Sequence, residues 1–241
     1  MVAATRQGDP SASGGGTVLA FLNEVAGGRK LLGEIRERVD AGAEHVALAA
    51  PQNQPAAGQI VDATEIRAAA QSRVDVTQAV LHDFGIESTA SVLDEDPLLA
   101  LDDAVRAFDP AVILISALQE SRIGFLRRDL VETAKSRYEA PVVHVPVRIQ
   151  DDAIRRDVTH TLVVATQTVN SPDLVERLKR RHADSPHRYT FVCPASGEVS
   201  REQVCDNLAA TLAEMYRDEI DATGQPMSPE PFAAIENAVS H

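Results

Sequence analysis

Tryptophan is missing from this chain, and the aromatic residues together make up only 4% of its 241 residues. The core therefore has to be aliphatic, built from Ala, Val, Leu and Ile. Cysteine is almost as scarce. Cys193 and Cys205 are the two present, and they form no Cys-x-x-Cys pair, which argues against a disulfide framework and a zinc site. No stretch of about 18 apolar residues is found, so no membrane-spanning helix is expected. The first residues carry no apolar signal-peptide core. Basic residues are in deficit, 23 against 36 acidic ones, for a net charge of −13. An acidic surface repels phosphate backbones and anionic bilayers, so nucleic acid and membranes are not expected partners. The cytoplasm is the expected compartment.

What is present is a regular alternation. Residues 1–16, ending in Ser13-Gly14-Gly15-Gly16, read as a flexible tail. Thr17–Leu22 is an apolar strand. Gly28–Asp40 follows as a helix, with Leu31, Leu32, Ile35 and Val39 on one face. Glu44–Ala50 is a second strand, and Ala63–Phe84 a long Ala-rich helix stopped by Gly85. Ile86–Leu93 is a third strand. Asp96-Pro97 supplies a capping acid and a first-turn proline for the next helix. Ala111–Ser116 is the most apolar strand, Gly124–Glu139 a helix and Pro141–Val147 a fifth strand. Strands separated by helices need crossovers, which build a parallel sheet covered on both faces. The expected fold is α/β, an open doubly wound sheet of order 3-2-1-4-5 over residues 17–147. Its ligand crevice should lie between the carboxyl ends of strands one and four.

The pattern then restarts. Gly16-Thr17-Val18-Leu19-Ala20 resembles His160-Thr161-Leu162-Val163-Val164, and Leu31-Leu32-x-x-Ile35 resembles Leu174-Val175-x-x-Leu178. Val46–Pro51 matches Tyr189–Pro194. Pro97-Leu98-x-x-Leu101-x-x-Ala104-Val105 matches Pro231-Phe232-x-x-Ile235-x-x-Ala238-Val239. Four matches in one order imply an internal duplication. Residues 148–158 are the linker, and 159–241 an incomplete second copy without a counterpart of residues 106–147. Lacking a fourth strand, Thr161–Thr166 becomes an apolar edge, which is an aggregation hazard unless another surface covers it. The expectation is a homodimer.

The segments Gly85-Ile86, Asp96-Pro97, Ile113-Leu114-Ile115-Ser116 and Pro141-Val142-Val143-His144-Val145-Pro146, in this order, resemble the universal stress protein family. Ser121-Arg122-Ile123-Gly124-Phe125-Leu126-Arg127-Arg128-Asp129-Leu130 resembles a segment of actinobacterial tandem members. The resemblance implies a stress-response or regulatory module, with pairing of chains through the edge at Pro141–Val147. ATP-binding members place an acid after strand one, and Gly-x-x-Gly followed by Gly-Ser or Gly-Thr after strand four. Here Asn23-Glu24 follows strand one, Ser116-Ala117-Leu118-Gln119 stands for the first glycines, and Arg128-Asp129 for the last pair. ATP is therefore expected to bind weakly or not at all, and no cofactor is assigned.

The expected crevice is rimmed by Asn23, Val25, Ala49, Ser116, Arg122, Gly124 and Arg127. Arg122, Arg127 and Arg128 open a helix whose amino end favours anions, so a small phosphate-containing ligand is one reading. Arg127 and Arg128, adjacent on a helix, diverge by about 100°, which favours solvation or pairing with Asp129 and Glu132 instead. His144, His182 and His187 have no partners at metal spacing, so no metal is expected. Cys193 and Cys205 read as small buried hydrophobes. Lys179-Arg180-Arg181 reads as a solvated helix face. A receiver domain shares the architecture, but Glu24 alone follows strand one, and Arg148 stands where a lysine is needed after strand five, although Asp94 is in place. No acid–base pair or nucleophile–base pair is assignable, so no catalytic residue is named. A nucleotide-hydrolysing or adenylate-forming enzyme on the same fold is the alternative.

Overall fold

The computed structural model describes residues 15–23, 26, 28–53, 63–118, 125–147, 158–165, 167–194 and 199–227. The aliphatic runs become the strands β1 (Thr17–Leu22), β2 (His45–Pro51), β3 (Thr89–Leu93), β4 (Pro110–Leu118) and β5 (Val142–Val147). All neighbours are parallel and the order is β3-β2-β1-β4-β5, the doubly wound sheet expected from the sequence. β1 is central and buried from Val18 to Leu22, as suits a strand covered on both faces.

Four helices connect these strands: α1 (Arg29–Asp40), α2 (Ala63–Asp83), α3 (Pro97–Phe108) and α4 (Phe125–Arg137). The Asp96 carboxylate caps α3 by accepting from the amides of Leu98 and Leu99, with Pro97 in the first turn. Gly85 ends α2 at φ +74°, and the amide of Ile86 donates back to the Leu81 carbonyl. That closure uses Ile86, which is why β3 starts at Thr89 and not at Ile86. Gly15 and Gly16, assigned from sequence to the tail, are tied into the fold. The Gly15 amide donates to Gly42 O (3.1 Å) and the Glu44 amide to Gly16 O (3.0 Å). Residues 1–14 and 148–157 lie outside the described residues.

Side chains alternate cleanly between the two faces of the sheet. Leu19, Phe21, Ala47, Ala49, Ile113 and Ile115 pack against α3 and α4, through residues such as Leu101, Ala104, Leu130 and Ala134. Val18, Ala20, Leu22, Leu48 and Leu114 face the other way, onto α1 and α2.

The second unit consists of β6 (Thr159–Val164), α5 (Pro172–Asp184), β7 (His187–Pro194), α6 (Arg201–Arg217) and β8 (Ala222–Met227). Its parallel sheet has the order β6-β7-β8, repeating the first three steps of the first unit. The two units share one apolar cluster, which runs from Leu22 and Val74 through Leu208 and Leu212 to Tyr189 and Phe191. The principal contact is α2 against α6. Phe84, just past α2, has the guanidinium groups of both Arg36 (5.6 Å) and Arg217 (5.2 Å) over its ring, which joins α1 and α6 across the junction.

β6 is the edge strand expected of Thr161–Thr166. Its strand partner among the described residues is β7 alone. Val163 packs into the shared cluster, while Leu162 and Val164 are 38% and 45% exposed. The third helix expected at Pro231–Val239 lies outside the described residues. Among the described residues no helix is long and apolar enough to cross a membrane.

Gly224 sits where β8 meets α6 most closely. A Cβ there meets Leu208 Cδ1 at 2.8 Å and Phe191 Cβ at 2.9 Å. Gly224→Ala is expected to cost about 1–3 kcal/mol through overpacking, measured by urea denaturation. Because the core is shared, a single transition is expected, with probes in both units moving together.

Candidate functional site

The topological switch point lies at the carboxyl ends of β1 and β4. There the Asn23 amide donates to Ser116 O (3.0 Å), carrying the β1–β4 ladder one residue past the end of β1. Asn23 is buried. Its carbonyl and side-chain oxygens accept from Asn53 Nδ2, at 2.7 and 3.3 Å. Arg73 reaches over from α2, and its Nη2 donates to Pro51 O (2.6 Å) and Asn53 Oδ1 (3.0 Å). Gln52 ties β2 to β3: its amide donates to Asp94 O (3.0 Å) and its side chain to Leu93 O (2.8 Å). The loops after β1, β2 and β3 are thus held together by amide and guanidinium hydrogen bonds around a buried arginine.

The residues expected to rim the crevice are not all brought together. Asn23 and Ser116 meet at the β1–β4 junction. Ala49 is wholly buried on the α3 side, whereas Ser116 shares the face of Leu114, which packs toward α1. Val25, Arg122 and Gly124 lie outside the described residues. Arg127 belongs to the first turn of α4. Asn53 and Arg73 were not singled out from sequence. Asn53 sits in a loop with no motif. Arg73 is one of several charged residues on a long Ala-rich helix, beside Arg67 and Asp75, and nothing in the spacing marks it out.

Burial raises the Cys193 thiol pKa to about 12, with Cys205 nearby adding to the shift, and burial likewise raises that of Cys205 to about 11. Both thiols stay protonated at neutral pH, which removes them as nucleophiles. His187 is a structural residue: it stacks on Tyr189 at 5.8 Å, and its amide donates to His182 Nδ1 (3.1 Å). His144 is half-buried, and burial lowers its pKa against an opposing hydrogen bond with the Ala117 backbone. Among the described residues no group of three His, Cys, Asp or Glu is placed to hold a metal ion. Lys179 is held by Glu214 and Asp218, both at 2.6 Å, so at this position the basic run has carboxylate partners.

No family model matches the chain, and no curated protein matches it. Among solved structures it is similar to the apo form of LigD from Sphingobium sp. strain SYK-6, at 13% identity and a TM-score of 0.26, over 92% of this chain and 94% of that one. A TM-score that low carries no argument about fold or function.

Arg73→Leu leaves Pro51 O and Asn53 Oδ1 short of a donor in a buried setting. The expected loss is about 1–3 kcal/mol. Urea denaturation measures it, and hydrogen exchange at Asn23 and Asn53 is expected to quicken along with the loss.

Proposed function

We propose that this chain is a non-catalytic regulatory module of the universal-stress-protein kind, with weak or absent ATP binding. The observation that carries this reading is the polar network at the switch point. The place where this class of sheet receives a ligand is spanned by the protein's own Asn23, Asn53 and Arg73. Ser116, standing where a phosphate-binding glycine is expected, has its carbonyl already engaged by Asn23. The shared core supports a regulatory role, because whatever alters one unit is felt by the other.

Calorimetry with ATP is the direct test. The expected dissociation constant is about 1 mM or weaker, near −4 kcal/mol. A value near 1 μM overturns the reading. Turnover of ATP above that of an Arg73→Leu control favours the enzyme alternative instead.

The proposed compartment is the cytoplasm, and the proposed assembly a homodimer that covers the exposed Leu162 and Val164 of β6. Light scattering is expected to give twice the chain mass at micromolar concentration. Leu162→Glu with Val164→Lys is expected to return the mass to that of one chain. A wild-type monomer at those concentrations contradicts the dimer.

A further inference from the structure

Leu162 and Val164 of β6 have counterparts in the first unit that are wholly buried. The two sheets repeat in register. Pro51 closes β2 opposite Leu93 of β3, and Pro194 closes β7 opposite Met227 of β8. Two residues before those prolines, Ala49 pairs with Phe21 of β1, and Val192 pairs with Val164 of β6. Phe21 thus corresponds to Val164. Leu19, in register with Ala47, corresponds to Leu162, in register with Thr190. Leu19 and Phe21 are both 0% exposed, whereas Leu162 and Val164 are 38% and 45% exposed. Val192, on the central strand of its sheet, is buried.

The difference lies in what covers the far face. Side chains alternate along a strand, so each sheet has one face on the shared cluster and one turned away from it. On the shared side lie α1 and α2 in the first unit and α5 and α6 in the second, through Leu31, Val74, Leu178 and Leu208. The far face of the first sheet carries Leu19, Phe21, Ala47 and Ala49, and α3 packs on it. The strand order explains the change of side. It runs outward from β1 to β3 and then turns back to β4, so a right-handed crossover puts the helix after β3 opposite the two before it. The order β6-β7-β8 runs outward in the same way. Among the described residues, Leu162 and Val164 belong to neither core cluster.

Beyond β8 the chain continues with a segment that matches α3. Residues 94–96 separate Leu93 from Pro97, and residues 228–230 separate Met227 from Pro231. From those prolines onward the sequences agree wherever α3 turns to the core. Leu98, Ala100, Leu101, Ala104 and Val105 are matched by Phe232, Ala234, Ile235, Ala238 and Val239. The acidic pair Asp102-Asp103 is matched by the polar Glu236-Asn237, and the exposed Leu99 by the smaller Ala233.

We infer that residues 231–239 form a helix seated on the far face of the second sheet, over Leu162, Thr190 and Val164. Phe232 and Ile235 supply its apolar contact, and Glu236 and Asn237 turn outward. A second copy of the chain is the competing occupant. That account leaves unexplained a segment that repeats α3 in spacing and in apolar pattern. The homodimer proposed above takes a different place. In the first unit α3 lies over β1, β2 and β3, while α4 packs on β5. The segment fills the α3 side, and the partner chain meets the outer side of β6 and what the segment leaves open of Leu162 and Val164. The inference stands independently of the dimer and of the ATP reading.

The test is thiol labelling of the full chain carrying Thr190→Cys, with N-ethylmaleimide as the probe. Position 190 is half-buried on β7, away from the β6 edge. The native Cys193 and Cys205 are buried, so their silence reports an intact core. Slow labelling at position 190 is expected. Adding Ile235→Asp should quicken it at least about tenfold, because burial of that side chain sets how often the segment lifts. Glu236→Lys, on the outward side, should leave the rate unchanged. Should Ile235→Asp also open the native thiols, Ile235→Ala takes its place, and a faster rate with silent native thiols is again expected. The rates should not vary with protein concentration. Protection that grows with concentration assigns the face to a second copy and overturns the inference. Equal rates with and without the substitutions at position 235 overturn it too, as do unprotected amides over residues 232–239 in hydrogen exchange of the wild-type chain. Light scattering reads the dimer separately, so the two readings can fail apart.

Discussion

Helix α2 is pressed between the five-stranded sheet and α6, and the arrangement of both units follows from that contact. A helix buried on two sides cannot show the single apolar stripe of a surface helix. Its sequence is accordingly small and mixed: Ala70, Val74, Val76, Val80 and Leu81 are all buried, as are the polar Ser72 and Thr77. The two hydroxyls do not disrupt the contact because they turn back onto their own helix. Ser72 Oγ donates to Ala68 O (2.9 Å) and Thr77 Oγ1 to Arg73 O (2.7 Å). Small side chains let α6 approach closely. Since α2 joins β2 to β3 and α6 joins β7 to β8, packing the two helices orients both sheets.

Polar contacts at the rim decide the register of that packing. Arg201 Nε donates to Ser72 Oγ (2.7 Å) at the start of α6. Arg217, in the last turn of the same helix, donates to Asp83 O (3.1 Å) and lies over Phe84. Arg29 joins α1 to Asp221. Each of these sites is partly open to solvent, so each contributes little stability alone. Their value lies in direction, since an apolar contact between two helices has little of its own. The few aromatic rings are used in a similar way. Tyr189 and Tyr216 fill the core of the second unit while their hydroxyls donate to Leu178 O and Ala222 O.

Much of the first unit was legible because its signals are local. The run from Val18 to Leu22, the Asp96-Pro97 cap and the Gly85 stop each act within a few residues. Right-handed crossovers then fix which face each helix covers, and the doubly wound class supplies the strand order. The second unit was legible only as far as β1 and β2 have look-alikes in β6 and β7. β8, Ala-Thr-Gly-Gln-Pro-Met, has almost no strand character of its own. It is a strand because Ala222 and Gly224 are small enough to lie under α6, a demand made by tertiary packing and invisible in local propensity. The site was less legible for a related reason. Asn23 and Ser116 could be placed by counting to the strand ends. Asn53 and Arg73 reach the same spot from a loop and from mid-helix, and no spacing rule joins them.

Helix α1 connects these elements. Its first turn lies beside Val145 and Pro146 at the carboxyl end of β5, and its Arg29 bonds to Asp221 of the second unit. Two turns further on, Arg36 covers Phe84, and Arg217 of α6 covers it too. Between these polar ends, Leu31, Leu32 and Ile35 are locked into the common core. A rigid helix held at three points cannot shift at one end without moving the other. Any change that parts Arg29 from Asp221 therefore alters a contact between the units, and through the helix the packing of Arg36 on Phe84 as well.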